Sequence, residues 1–219
     1  CSNLECFVSS INGALKNLLN STKNQILTKV CLSSKNLTDK DMLILADRLP
    51  STLEAITLSQ NNIGDRGAEY IGDNSSWKKL KKLDLSANSI SYEGAAAIGQ
   101  NKTWKNLEEL NLSHNQIGDT GVRFIQKSIT FRNLTVLNLS ANQISSKGAI
   151  AIGKNVRWIH LEELYLNENG IGDEGAAALG QNTAWRKLKK FEILENANIT
   201  KEGKNELQMN IIFGSFVCV

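Results

Sequence analysis

Two histidines, His114 and His160, and two acidic doublets, Glu108–Glu109 and Glu162–Glu163, are the residues best suited to proton transfer in this chain. General acid–base chemistry needs titratable groups that converge on one reacting atom. Neighbours along an extended strand face opposite ways, so neither doublet converges. Neither histidine stands in metal-ligand spacing with a cysteine or with the other histidine. The four cysteines, Cys1, Cys6, Cys31 and Cys218, do not cluster as a disulfide-bonded cap would. Cys1 and Cys6 are close enough in sequence to pair, but a reduced, cytoplasmic state is the expectation. Neither a glycine-rich phosphate loop nor a nucleophile elbow occurs. The expectation is a chain with no enzymatic activity, no cofactor and no metal.

Charge narrows the partners. The net charge is only +3, and the basic clusters "WKKLKK" (77–82) and "WRKLKK" (185–190) alternate with "LEEL" at 107–110 and 161–164. That is no electrostatic footprint for nucleic acid. The longest apolar tract, "IIFGSFVCV" at 211–219, is too short to span a bilayer. The sequence opens at Cys1 and reads as a processed or excised piece, which leaves targeting illegible. Glycosylation triplets stand at Asn20, Asn36, Asn74, Asn101, Asn111, Asn133, Asn138 and Asn198. Glycans on Asn111 and Asn138 would crowd the sheet face described next, which disfavours secretion.

The framework that must position these residues is periodic. "LNLSHNQIGDTG" from Leu110 returns as "ITLSQNNIGDRG" from Ile56, "LDLSANSISYEG" from Leu83, "LNLSANQISSKG" from Leu137 and "LYLNENGIGDEG" from Leu164. "VCLSSKNLTDKD" from Val30 is a looser copy, and "FEILENANITKEG" from Phe191 carries one extra residue. Leu27, Leu53, Leu80, Leu107, Leu134, Leu161 and Leu188 lead the copies, 26 residues apart once and 27 thereafter. A fixed period of this length marks a stack of like units. Leu107, Leu110 and Leu112 enclose the polar Asn111, the alternation of a half-buried strand. Val122 and Ile125 share one face of a following helix, matched by Ala68 and Ile71, Ala95 and Ile98, Ala149 and Ile152, and Ala176 and Leu179. Gly67, Gly94, Gly121, Gly148 and Gly175 let that helix approach the sheet closely.

An amide recurs inside the apolar run, at Asn61, Asn88, Asn115, Asn142, Asn169 and Asn196, with Lys35 in the first copy. A sharp bend from strand to helix buries backbone donors and acceptors, and an amide that donates and accepts at once bridges its own turn to the next. Gly64, Ser91, Gly118, Ser145, Gly172 and Thr200 fall at helix N-caps, and Asp65, Asp119 and Asp173 follow where the helix dipole favours acids. Trp77, Trp104, Phe131, Trp158 and Trp185 recur in the returning segment and read as core filler.

The pattern L-x-x-L-x-L-x-x-N-x-I-G-D-x-G-A resembles the ribonuclease-inhibitor-like class of leucine-rich repeats, including repeat domains of the bacterial effector and NOD-like-receptor types. The resemblance implies an α/β solenoid: a horseshoe with a parallel concave sheet and convex helices. The expected organisation is an N-terminal helical cap over 1–25, seven repeats over 26–207, and an apolar C-terminal cap or tail over 208–219. In the cap, Phe7, Ile11, Leu15, Leu18 and Leu19 hold helical spacing. In the tail, Phe213, Phe216 and Cys218 imitate the repeat spacing of a closing strand.

The function so implied is binding of a protein partner by a monomer through the concave face. The chain would be an effector secreted into host cytoplasm or a sensing domain. The alternative is a GTPase regulator resembling the Ran GTPase-activating protein, although that family has longer repeats and an acidic tail. The expected partner-binding residues are Asp84, Asn111, His114, Asn138, Tyr165, Glu168 and Glu192. Lys82, Glu109, Val136, Glu163 and Lys190 run alongside. Tyr165 stands out, because Cys31, Thr57, Asp84, Asn111, Asn138 and Glu192 are each smaller or charged.

Overall fold

Each unit folds as a three-residue strand, a bend, a short helix and a return loop. The computed structural model describes Gly13, residues 27–210 and residues 216–218, so the helical cap expected over 1–25 lies outside the described residues apart from Gly13. The strands are β1 (Lys29–Cys31), β2 (Ala55–Thr57), β3 (Lys82–Asp84), β4 (Glu109–Asn111), β5 (Val136–Asn138), β6 (Glu163–Tyr165), β7 (Lys190–Glu192) and β8 (Phe216–Cys218). The helices are α1 (Asp39–Arg48), α2 (Asp65–Gly72), α3 (Tyr92–Gln100), α4 (Gly118–Lys127), α5 (Ser146–Gly153), α6 (Asp173–Gly180) and α7 (Lys201–Asn210). All strands pair in parallel, each with the next in sequence. Each of α1 to α6 packs against the helix that follows it.

The core is one continuous column. Ile56, Leu83, Leu110, Leu137, Leu164 and Phe191 enter it from the strands; Ile71, Ile98, Ile125, Ile152 and Leu179 enter from the helices. Trp77, Trp104, Phe131 and Trp158 are fully buried beneath the return loops, and Trp185 nearly so. The indole N–H groups of all four tryptophans are buried without an acceptor. Each such group costs about 1–3 kcal/mol, so the shape of the ring outweighs its polar atom here. The phenyl group of Phe131 fills its position without that cost.

The buried amides behave as a ladder. Asn115 accepts from the Ile90 N–H (3.0 Å) and donates to the carbonyls of Leu85, Leu112 and Ser113. Asn61, Asn88, Asn169 and Asn196 repeat the scheme, and Asn142 does so with two carbonyls. The bridge runs from each coil back to the preceding one, not on to the next, because the Asn carbonyl faces the N–H groups that the earlier bend leaves open. Lys35 heads the ladder, and its own backbone N–H donates to Asn61. The residue before each rung is left-handed: Ser34, Gln60, Ala87, His114, Ala141, Glu168 and Glu195 have φ between 52° and 56°.

A second amide ladder escaped the sequence reading. Asn74, Asn101, Asn155 and Asn182 cap the return loops, accepting from the N–H of the tryptophan three residues on and donating to a carbonyl of the previous coil. Asn74 and Asn101 head two of the glycosylation triplets, and both are buried.

The aspartates do more than complement a dipole. Asp119 reaches the following coil, accepting from Ser145 N (2.8 Å), Ser145 Oγ (2.6 Å) and Gly148 N (2.9 Å). Asp65 does the same for Ser91 and Gly94, and Asp173 bonds Thr200. Gly118 departs from the N-cap reading: at φ +58° it opens α4 in a left-handed conformation, and Ile117 takes the cap position. The glycines expected to admit the sheet serve helix packing instead. A Cβ on Gly121 would lie 2.4 Å from Ile117 Cγ2 and 3.0 Å from Ala95 Cβ of the preceding coil.

At the C-terminal end β8 pairs with β7, but one residue out of the expected register. Val217 lies opposite Phe191, with Phe216 opposite Lys190 and Cys218 opposite Glu192. The strand follows β7's ladder, and a one-residue shift exchanges core and concave positions.

Asn115→Leu is expected to lower stability by at least about 2 kcal/mol, because buried backbone groups of two coils lose their partner. Asn111→Leu, at a half-exposed position, should cost about 1 kcal/mol or less. Urea midpoints compare the two, and equal midpoints would refute the ladder's role.

Candidate concave binding face

Two columns of side chains project from the strands on the side away from the helices. Lys29, Ala55, Lys82, Glu109, Val136, Glu163 and Lys190 form one; Cys31, Thr57, Asp84, Asn111, Asn138, Tyr165 and Glu192 form the other. They are exposed or half-buried, whereas the central residue of each of β1 to β7 is buried. Short strands make this possible, since three residues suffice for one core side chain between two free ones.

The columns are not uniformly free. Asp84 Oδ1 accepts from Ser86 N and Oγ, Asn111 Oδ1 from Ser113 N and Oγ, and Asn138 Oδ1 from Ser140 N. These three carbonyl or carboxylate oxygens terminate their strands by local turns. Of the expected partner-binding residues, Asp84, Asn111 and Asn138 thus also serve the repeat, and only their remaining atoms face outward uncommitted. His114 and Glu168 are exposed, but their left-handed backbones place them in the bend, beyond the strand ends.

One cluster gathers on β6 and β7. The Tyr165 hydroxyl donates to Glu163, and the Lys190 ammonium sits 4.8 Å from the Tyr165 ring centroid. Lys190 also pairs with Glu192 at 2.8 Å, and Glu192 accepts from Asn167 Nδ2 at 2.9 Å. Asn167 in turn accepts from the Leu194 N–H. The ring is thus held at its tip and its face, and Glu192 in turn holds Lys190. Tyr165 has Asn138 and Glu192 as register neighbours; Asn111 is two strands off and Asp84 three.

The structure therefore brings Tyr165, Glu192 and Asn138 together, while Asn111, Asp84 and the bend residues His114 and Glu168 stand apart. Glu163 and Lys190 matter more than their flanking place in the sequence reading suggested. Asn167 was missed there, although the position two residues after the strand's second column offers a signal: it is serine in five earlier coils and asparagine in this one. The doublet Glu162–Glu163 diverges as expected, Glu162 pairing with Lys189 at 2.6 Å on the far side.

Ionisation follows the contacts. Burial and then the bond to Glu163 raise the Tyr165 phenol, while Lys190 pulls it down. Lys190 is pushed up, first by Glu192 and then by Tyr165. Glu192 is lowered, first by Lys190 and then by Asn167. Its contribution to stability is thus present above the ordinary carboxylate range and is lost as pH falls through its own depressed value. Among the described residues, no group of three or more His, Cys, Asp or Glu is arranged to hold a metal, and no helix is long and apolar enough to cross a membrane.

Comparisons with known proteins agree with this architecture. Models of leucine-rich repeats match residues 50–72, 78–99 and 159–180, and a two-copy model matches residues 105–149. Among solved structures, an internalin from Listeria monocytogenes superposes with a TM-score of 0.57 at 19% sequence identity. The match takes in 88% of this chain and 54% of the internalin. At that identity the likeness concerns the fold. No curated protein matches the sequence.

Glu163→Gln is expected to lower the Tyr165 titration midpoint, and Lys190→Gln to raise it. Phenolate absorbance, read as the difference from the same background carrying Tyr165→Phe, measures both shifts. Shifts of like sign would contradict the contacts described.

Proposed function

This chain belongs to the leucine-rich repeat family, and from that premise we propose that it is a protein-binding module whose concave face seats a partner around Tyr165. Leucine-rich repeat proteins generally act in protein–protein interaction. The seven strands β1 to β7 that carry the two columns, about 4.8 Å apart, give a face of about 30 Å, which suits a folded partner better than a small molecule.

The observation that carries the reading is the preorganised tyrosine. An aromatic ring with a polar tip is the side chain most often found at the energetic centre of an interface. Here it is fixed by Glu163 and Lys190 before any partner arrives, so little side-chain entropy remains to be lost on binding. Exposed Leu194 and half-buried Val136 supply apolar surface nearby, with Glu192 and Lys190 as directional charges. The centre of contact accordingly shifts toward β5 to β7, with Asn138, Glu163, Tyr165, Lys190 and Glu192 in the lead. Asp84, Asn111, His114 and Glu168 lie at its margin.

The setting we propose is a reducing one, host cytoplasm for a delivered effector or the cytoplasm for a sensing domain. The burial of Asn74 and Asn101 supports it, since both triplet amides are spent on the return-loop ladder.

Affinity capture with mass spectrometry, from eukaryotic and bacterial lysates in parallel, supplies the partner. With that partner, Tyr165→Ala should weaken binding by about tenfold or more and leave thermal unfolding nearly unchanged. Lys147→Ala, on the convex side, should leave binding intact. Calorimetry on the three proteins decides: unchanged affinity for Tyr165→Ala removes the concave centre.

A further inference from the structure

The return loops form an edge of the solenoid, beside the starts of the strands and remote from the asparagine bends. On two consecutive loops of this edge, after α4 and after α5, the repeat is broken by aliphatic side chains in water. Ile129 is 62% exposed, Val156 71% and Ile159 52%. Ile129 and Val156 occupy the position held by Ser75, Lys102 and Thr183 in other coils, and Ile159 that of Lys78, Lys105 and Arg186. Polar residues satisfy the fold at these places, so packing does not demand the aliphatic ones.

These loops lie side by side. Thr130 Oγ1 donates to Asn101 O, Asn155 Nδ2 to Gln126 O, and Asn182 Nδ2 to Asn155 O, at 2.7–2.8 Å. Val156 therefore neighbours Ile129 across one coil step, and Arg132 neighbours Ile159. Exposed Arg132, Lys154 and Arg157 surround the aliphatic group, and none of the three forms an ion pair among the described residues. The loop's own acid, Glu162, is already taken by Lys189. The capping aspartates stand on the opposite edge, at the helix N-termini.

We propose that this edge docks on an anionic lipid surface, with Ile129, Val156 and Ile159 entering the headgroup boundary and Arg132, Lys154 and Arg157 meeting the phosphates. Aliphatic tips among unpaired cations are the chemistry of peripheral attachment to charged bilayers. The amides and hydroxyls of these loops are spent on the inter-coil bonds above, so the edge offers few directional groups to a protein partner. Nucleic acid would use the cations but give the aliphatic tips nothing to do. Attachment by an edge leaves the concave face open, so the two contacts are independent and simultaneous.

The test is co-sedimentation of the whole chain with phosphatidylcholine vesicles, with and without phosphatidylserine. Partition should favour the anionic vesicles by about tenfold or more and fall with added salt. The double variant Arg132→Glu/Arg157→Glu, and separately the triple variant Ile129→Ser/Val156→Ser/Ile159→Ser, should each reduce that partition by about tenfold. All five positions are exposed or carry no core contact, and matching thermal melts will verify that the variants are folded. Lys147→Glu on the opposite edge should leave partition within about twofold. Equal partition into neutral and anionic vesicles, or none into either, overturns the proposal. So does binding of an RNA duplex or a polyglutamate chain by the same cations without vesicle binding, which would give the edge to that class of partner instead.

Discussion

A coil that bends from strand to helix every 27 residues must bury backbone N–H and C=O groups that no ladder of its own can satisfy. The asparagine at each bend resolves this, because one amide accepts from the earlier coil while donating to carbonyls of both. A hydrophobic residue of the same size would fill the space and leave those groups unpaired. The rest of the structure depends on that exchange. It fixes the register of one coil on another, tolerates a left-handed residue in every bend, and keeps the strands parallel with one core residue each.

Other polar devices repeat the logic at different radii. The return-loop amides tie coil to coil above the tryptophans, and Asp39, Asp65, Asp119 and Asp173 each bond backbone N–H groups at the start of the helix that follows. Each device links only nearest neighbours, so stability is built along one axis, coil by coil. The unpaired indole N–H groups show the other side of that economy: a ring large enough to fill the space below a return loop is retained although its donor is unsatisfied. Rigidity follows from the ladders, and a rigid face is what allows Tyr165 to be held ready without help from a ligand.

Because the core claims only the middle residue of each strand, the two flanking columns are open to variation, and so are the loop tips on the return edge. Variation is visible in both places. On the concave face it produces an aromatic within a charge network; on the edge it produces three aliphatics among cations. The two features lie on different surfaces of successive coils, so a change in one leaves the other undisturbed.

The repeat, its period, the core residues and the role of Asn115 and its equivalents were legible in the sequence, because each is forced by local geometry and recurs in every copy. The prominence of Tyr165 was legible for the opposite reason, as a break in a repeating column. Tertiary structure decided what depends on the contact between coils. The asparagines bridge backward because of where the preceding bend leaves its N–H groups. Asp119 reaches Ser145 and Gly148 across a coil boundary, 26 and 29 residues on, a span that helix-dipole reasoning within one coil does not cover. Asn111 and Asn138 look free in sequence, yet their oxygens end their own strands. Lys190 and Tyr165 are 25 residues apart in sequence and meet only because β6 and β7 lie in register, Tyr165 opposite Glu192. Periodicity tells which positions are alike; only the stacking of one coil on the next tells which unlike side chains touch.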